Sequence, residues 1–237
     1  MIFKSSVLKR FLCTCVPFVV AMWSGVSHAA FITIDEAGMD AIYSQSSFGS
    51  SPIDIRIGGM IEHVDPTFLT LESQTKWNAV TSSHYGAANV ANFWFIDDIT
   101  WCGNNFIFYV GCGETPGNDF IVESAYADSP FNAELLAHEL AHNLGLGHNA
   151  GSNNLMDAFL NGGTDLSASE VSTIFNSPLV QFDASGFFIE VLPVLVVAVA
   201  TQVNAPSVSV LLACALLLLW RRQGNTLRSR PMVLQMV

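Results

Sequence analysis

Positive charge is nearly missing from the centre of this 237-residue chain. Of its nine lysines and arginines only Arg56 and Lys76 lie between residues 30 and 206, whereas all twenty aspartates and glutamates lie there. Two cations against twenty carboxylates leave that stretch with a formal charge of −18. Such a surface repels phosphate backbones and argues against nucleic acid as a partner. It reads as a solvated acidic exterior, or as one that receives a cationic substrate. Cysteine is scarce as well. Cys13 and Cys15 fall in an N-terminal apolar run and Cys214 in a C-terminal one, so Cys102 and Cys112 are the only pair between them. No histidine lies near them in sequence, which disfavours a second metal site. In an oxidising compartment they are expected to form a disulfide that closes a hairpin, stabilising it by about 2–3 kcal/mol. No internal repeat is visible.

The ends of the chain carry most of what the centre lacks. Lys4, Lys9 and Arg10 precede an apolar stretch over residues 11–26, and Ser27-His28-Ala29 follows as a small-residue cleavage site. Residues 1–29 therefore read as a secretory signal peptide, with a retained anchor as the other reading. Residues 207–220 are apolar throughout and end at Arg221 and Arg222, with Arg228 and Arg230 beyond. That order predicts a C-terminal transmembrane or sorting helix with a basic cytoplasmic tail over 221–237. It resembles the PEP-CTERM class of bacterial sorting signals, with Asn204-Ala205-Pro206 where the namesake motif has Pro-Glu-Pro. The resemblance implies an exosortase-type processing enzyme as a partner; a plain membrane anchor is the alternative. The expected location is the periplasm, cell surface or exterior, with at least transient membrane attachment.

What the centre does have is His138-Glu139-Leu140-Ala141-His142-Asn143-Leu144-Gly145-Leu146-Gly147-His148. His138 and His142 are four apart, so on a helix they share a face one turn apart. Glu139 is rotated by about 100° from His138, which lets it act on a water without ligating a metal. Gly145 can take the left-handed conformation that ends a helix, and the chain then returns to deliver His148. Three imidazoles with one position open suit catalytic zinc. Ser129-Pro130 or Asn132 can start the helix, Glu134 suits its first turn, and Leu136, Leu140 and Leu144 form its apolar stripe.

Followed by Asn154-Leu155-Met156-Asp157, this run resembles the metzincin clan of zinc metallopeptidases, most strongly over residues 129–157. The resemblance implies His138, His142 and His148 as zinc ligands, Glu139 as general base, and Met156 in a tight turn beneath the histidines. It implies a zinc-dependent endopeptidase acting on protein or peptide substrates. Asn149 after the third histidine matches none of the familiar families, and Ala158 stands where some have an assisting tyrosine. No cysteine lies between residues 30 and 101, so a cysteine-switch peptide is missing. The alternative reading is a non-catalytic metal-binding surface or matrix protein displayed through the sorting tail.

The expected fold class is α+β, a metzincin-like domain over residues 30–182 with a twisted mixed sheet, an active-site helix and a C-terminal helix. Ile53, Ile55 and Ile57 alternate with Asp54 and Arg56 as a half-buried strand ended by Gly58-Gly59. Residues 66–83 read as a helix; 92–96, 106–110 and 120–124 read as strands. Residues 167–175 read as a helix whose Ser167 and Glu170 match a capping box. Residues 183–206 are assigned to a linker or juxtamembrane spacer. Within them the apolar 187–200, interrupted by Glu190 and Pro193, reads either as a spacer or as a final core strand. Extended substrate is expected along an edge strand, with the Cys102–Cys112 hairpin as the candidate. A specificity pocket is expected around 149–165, where Asn153, Asn154, Phe159 and Leu160 lie. Asp97, Asp98 and Asp119 are candidates for a structural calcium ion, while His63 and His84 match no ligand spacing.

Overall fold

A helix opens the domain. In the computed structural model, which describes residues 32–103, 109–127, 129–151 and 153–199, α1 (Glu36–Tyr43) precedes any strand. Asp35 caps it by accepting from the Gly38 amide at 2.9 Å, and Met39, Ile42 and Tyr43 are its buried face. The signal peptide, the tail helix and the basic tail lie outside the described residues. Among the described residues no helix is long and apolar enough to cross a membrane.

After α1 come β1 (Ile53–Ile57), β2 (Ile61–Val64), β3 (Thr70–Leu71) and α2 (Gln74–Thr81). Then follow β4 (Val90–Ile96), β5 (Asp98–Ile99), β6 (Gly111–Gly113), β7 (Asp119–Glu123), α3 (Ser124–Ala127) and α4 (Asn132–Asn143). The chain closes with α5 (Ala168–Ile174), β8 (Gln181–Asp183) and β9 (Gly186–Val197). This is an α+β arrangement on a mixed seven-stranded sheet ordered β1-β9-β4-β7-β6, with β2 and β8 also paired to β9. β1, β2 and β4 run parallel to β9, and β7 parallel to β4. β6 is antiparallel to β7 and β8 to β9.

β4 is buried at every position because both faces of the sheet are covered. Phe93 and Phe95 face the cluster that includes α1, α4 and α5. Trp94 and Ile96 face a second cluster, with Leu71, Val80 and Cys112, on the other side. The helix expected over 66–83 is shorter. Residues 66–68 form a 3-10 turn capped by Asp65, Thr70 and Leu71 pair with β5, and α2 begins only after Ser73, whose hydroxyl caps it. Of the strand expected over 106–110, residues 106–108 lie outside the described residues, and the edge strand itself is β6.

The domain boundary drawn at residue 182 falls too early. β9 is twelve residues long and occupies the middle of the sheet, so 186–197 is core strand and not spacer. Pro193 in such a strand needs a reason, since proline cannot donate to a ladder. Val191 accepts from the Gly58 amide at 2.7 Å, so its backbone groups face β1. Pro193, two residues on, faces the same side. There β1 has ended opposite Val191 and β2 begins only opposite Val194. The missing N–H thus falls in the gap between two partners, while pairing with β4 continues through Phe93 opposite Pro193.

Candidate metal centre

α4 carries the site. It starts at Asn132 with Phe131 as N-cap and no side-chain cap bond, while Ser129 Oγ accepts from the Phe131 amide at 3.2 Å just outside. Asn132 instead ties the helix start to the chain before α1: its side-chain oxygen accepts from the Asp35 amide at 3.1 Å. Tyr43 donates to the Ala137 carbonyl at 2.9 Å, fixing α1 against the helix. Leu136, Leu140 and Leu144 are buried as the apolar stripe requires. At the other end Gly145 has φ +98°, the left-handed turn that reverses the chain toward His148.

His138, His142 and His148 converge. Their potential ligand nitrogens all lie within 4.8 Å of one another, and among the described residues they are the one group of three or more such side chains. His138 Nδ1 donates to the Leu155 carbonyl at 2.6 Å and His142 Nδ1 to the Leu146 carbonyl at 2.7 Å. A carbonyl accepts only from a protonated nitrogen, so in both rings the Nε2 lone pair is free for a metal. His142 Nε2 and His148 Nε2 are 3.2 Å apart. Two nitrogens about 2.0–2.1 Å from a tetrahedral zinc lie about 3.3–3.4 Å from each other, so this pair needs almost no rearrangement to close on an ion. Burial, reinforced by the neighbouring His142, pushes the His138 pKa down to about 4. Burial also lowers that of His142. Both rings are therefore neutral and competent as ligands at neutral pH.

Glu139 is 5% exposed, and burial raises its pKa to about 8. Its Oε2 is buried with no hydrogen-bond partner in the protein. An orphaned carboxylate oxygen beside three converging imidazoles fits a metal centre with an acidic water.

Met156 is fully buried, in a turn closed by the Asp157 amide donating to the Asn154 carbonyl at 3.2 Å. The Met156 amide donates to Asn154 Oδ1 at 2.7 Å. The turn is bonded to both ends of the ligand set. Leu155 receives the His138 ring, and the Met156 carbonyl accepts from the Asn149 amide, next to His148, at 2.8 Å. Two carboxylates that sequence reasoning treated only as helix-end residues hold this loop. Glu170 completes the capping box with Ser167 and also accepts from Asn149 Nδ2 at 3.1 Å and Asn154 Nδ2 at 3.2 Å. Burial works to raise its pKa, but the bonds from Ser167, Asn149 and Asn154 outweigh that and hold it low. Glu134, buried in the first turn of α4, accepts from the Asn161 and Gly162 amides. Around the expected specificity pocket Phe159 is 73% exposed, whereas Asn154 is spent on internal bonds.

The remaining sequence candidates separate. Cys102 and Cys112 form the expected disulfide. The calcium candidates do not gather. Asp119 is buried and accepts from Trp94 Nε1 at 2.7 Å and pairs with His84 Nδ1 at 2.9 Å, away from any grouping with Asp97 and Asp98. His84 is therefore part of an internal pair, and His63 stacks on Phe68 and meets Tyr85 Oη. No family model matches the chain, and no curated protein matches it either.

Proposed function

We propose that the protein is an exported zinc-dependent endopeptidase. The observation that carries the reading is the pairing of three converging imidazoles, two of them buried and neutral, with a buried carboxyl group on the same helix. His138, His142 and His148 would hold the ion, leaving one position for water and substrate. A zinc ion bound there supplies Lewis acidity, lowering the pKa of water and polarising a carbonyl. The chain's own residues do the rest. Burial favours the neutral acid of Glu139 in the metal-free protein; a bound cation would favour its ionised form, in which Glu139 accepts the proton of the attacking water and returns it to the leaving amine. The Leu155 and Leu146 carbonyls keep two rings in the tautomer and orientation that ligation requires. β6 is paired on one side with β7, and among the described residues no strand pairs its other side, so an extended peptide can add there by main-chain bonding. The disulfide supports a compartment outside the cytoplasm.

The test uses the purified full chain loaded with zinc, on a proteome-derived peptide mixture, with and without chelator. Cleavage that the chelator abolishes and that Glu139→Ala loses while keeping its zinc is the expected result. Absence of cleavage by the zinc-loaded wild type overturns the enzyme reading and leaves the metal-binding surface protein in its place.

A further inference from the structure

The edge strand is Gly111-Cys112-Gly113, and its residues alternate in what they face. Cys112 points into the cluster with Trp94 and Ile121 and is bonded to Cys102. The two glycines face α4 on the opposite side. A Cβ on Gly111 would overlap Glu139 Oε1 and lie 2.5 Å from Cδ and 2.7 Å from Cγ. One on Gly113 would lie 3.1 Å from Glu139 Oε2, 3.1 Å from His142 Cβ and 3.2 Å from the Glu139 carbonyl oxygen. Neither glycine has a positive φ, so neither is needed for backbone conformation. What they provide is room. The wall also cannot retreat: the disulfide anchors the strand on its far face, and pairing of Gly111 with Val122 and Gly113 with Phe120 anchors its edge.

We propose that Gly111 and Gly113 are positioning residues for Glu139, a bare stretch of strand against which the carboxylate is seated beside the three histidines. This rests on the peptidase reading, in which Glu139 moves the proton. Gly111 dominates, because its Cβ would meet the end of the Glu139 side chain, which can swing away, while nothing in the strand or helix has to move. A methyl group there evicts the carboxylate and spares the fold and the ligands. At Gly113 the contacts are longer and a shift of a few tenths of an ångström relieves them.

The experiment compares Gly111→Ala, Gly113→Ala and Gly59→Ala in the zinc-loaded full chain; Gly59 has open space around it and ordinary φ. The expected result for Gly111→Ala is a kcat roughly 100-fold lower with KM and zinc stoichiometry unchanged, the effect of misplacing a catalytic group by about 1 Å. Gly113→Ala should lose less than about tenfold, and Gly59→Ala nothing. A second readout needs no turnover. Gly111→Ala should lower the melting temperature when Glu139 is present and not in the Glu139→Ala background, where its steric partner is gone. A Gly111→Ala variant with wild-type kcat, or a melting penalty that persists without the Glu139 side chain, overturns the proposal. A wild type without turnover overturns the peptidase reading, and the melting cycle still decides whether the glycines seat the carboxylate.

Discussion

Replacing Glu170 by alanine should weaken the metal centre from a distance. Its carboxylate accepts from the Ser167 amide and hydroxyl at 2.7 Å each, and from the side-chain amides of Asn149 and Asn154. Loss of the cap costs about 1 kcal/mol. Each charge-assisted bond to an asparagine would be worth about 1.5 kcal/mol if buried, and about half of that at this partly exposed site. The total is about 2.5 kcal/mol. Part of it bears on zinc, because Asn149 follows His148 directly and Asn154 holds the turn that receives His138. Groups that bond directly to a ligand change metal affinity by about 10–100-fold when lost. Glu170 acts one residue further out, so about tenfold is expected. Zinc affinity is read by competition with a chromophoric chelator, and stability by urea denaturation of the zinc-free protein. Glu170→Gln, which keeps one acceptor oxygen, should fall between the two. The carboxylate's pKa is held below its ordinary 4.5, so its contribution is full above that value and fades as pH falls through the folded one. The stability gap between wild type and Glu170→Ala should therefore narrow in acid. A variant that loses stability yet binds zinc within about twofold of wild type would refute the link between the α5 cap and the ligands.

Other expectations follow from the same contacts. Glu139 has its pKa raised from 4.5 to about 8 by burial, so the zinc-free protein should lose stability as pH rises through that window. Glu139→Gln should remove this slope, and denaturation midpoints at pH 5 and 8.5 that fall equally in both proteins would contradict it. Replacing Cys102 and Cys112 by alanine should cost about 2–3 kcal/mol, read by thermal or urea unfolding against the wild type under oxidising conditions. Truncation after residue 182 should yield no folded protein, because it removes the strand between β1 and β4, whereas truncation after 199 should fold; circular dichroism and proteolysis distinguish them.

The metal site was legible because its geometry is local. Spacings of four and six residues place two histidines on one helical face and return a third through Gly145, and burial then keeps His138 and His142 neutral. The capping box at Ser167 was legible for the same reason. β9 was legible only as one of two readings, core strand or spacer, because an apolar strand between parallel neighbours has no alternation to betray it, and Pro193 reads as an interruption until the gap between β1 and β2 is seen. Glu170 and Glu134 looked like helix-end carboxylates. Their additional partners, Asn149, Asn154, Asn161 and Gly162, come from chain segments that no periodicity connects to them. α2 was overextended because Phe68 and Leu71 continue its apolar face, but from a 3-10 turn and a short strand. The signal in β6 was present as two glycines spaced by one residue in a strand, a pattern that marks close approach of another element.

Among the described residues, the last strand made is the one that completes the middle of the sheet. A chain emerging N-terminus first can form α1, β1 and even the histidine helix, yet β1 and β4 have no contact partner in common until residues 186–197 arrive to lie between them. The sheet therefore closes through pairings that span a hundred residues or more, the slow, non-local kind. The helix that carries His138 and His142 packs on α1, α3, β6 and β7, all made before that strand, so its own surroundings can assemble while the sheet still waits for its centre.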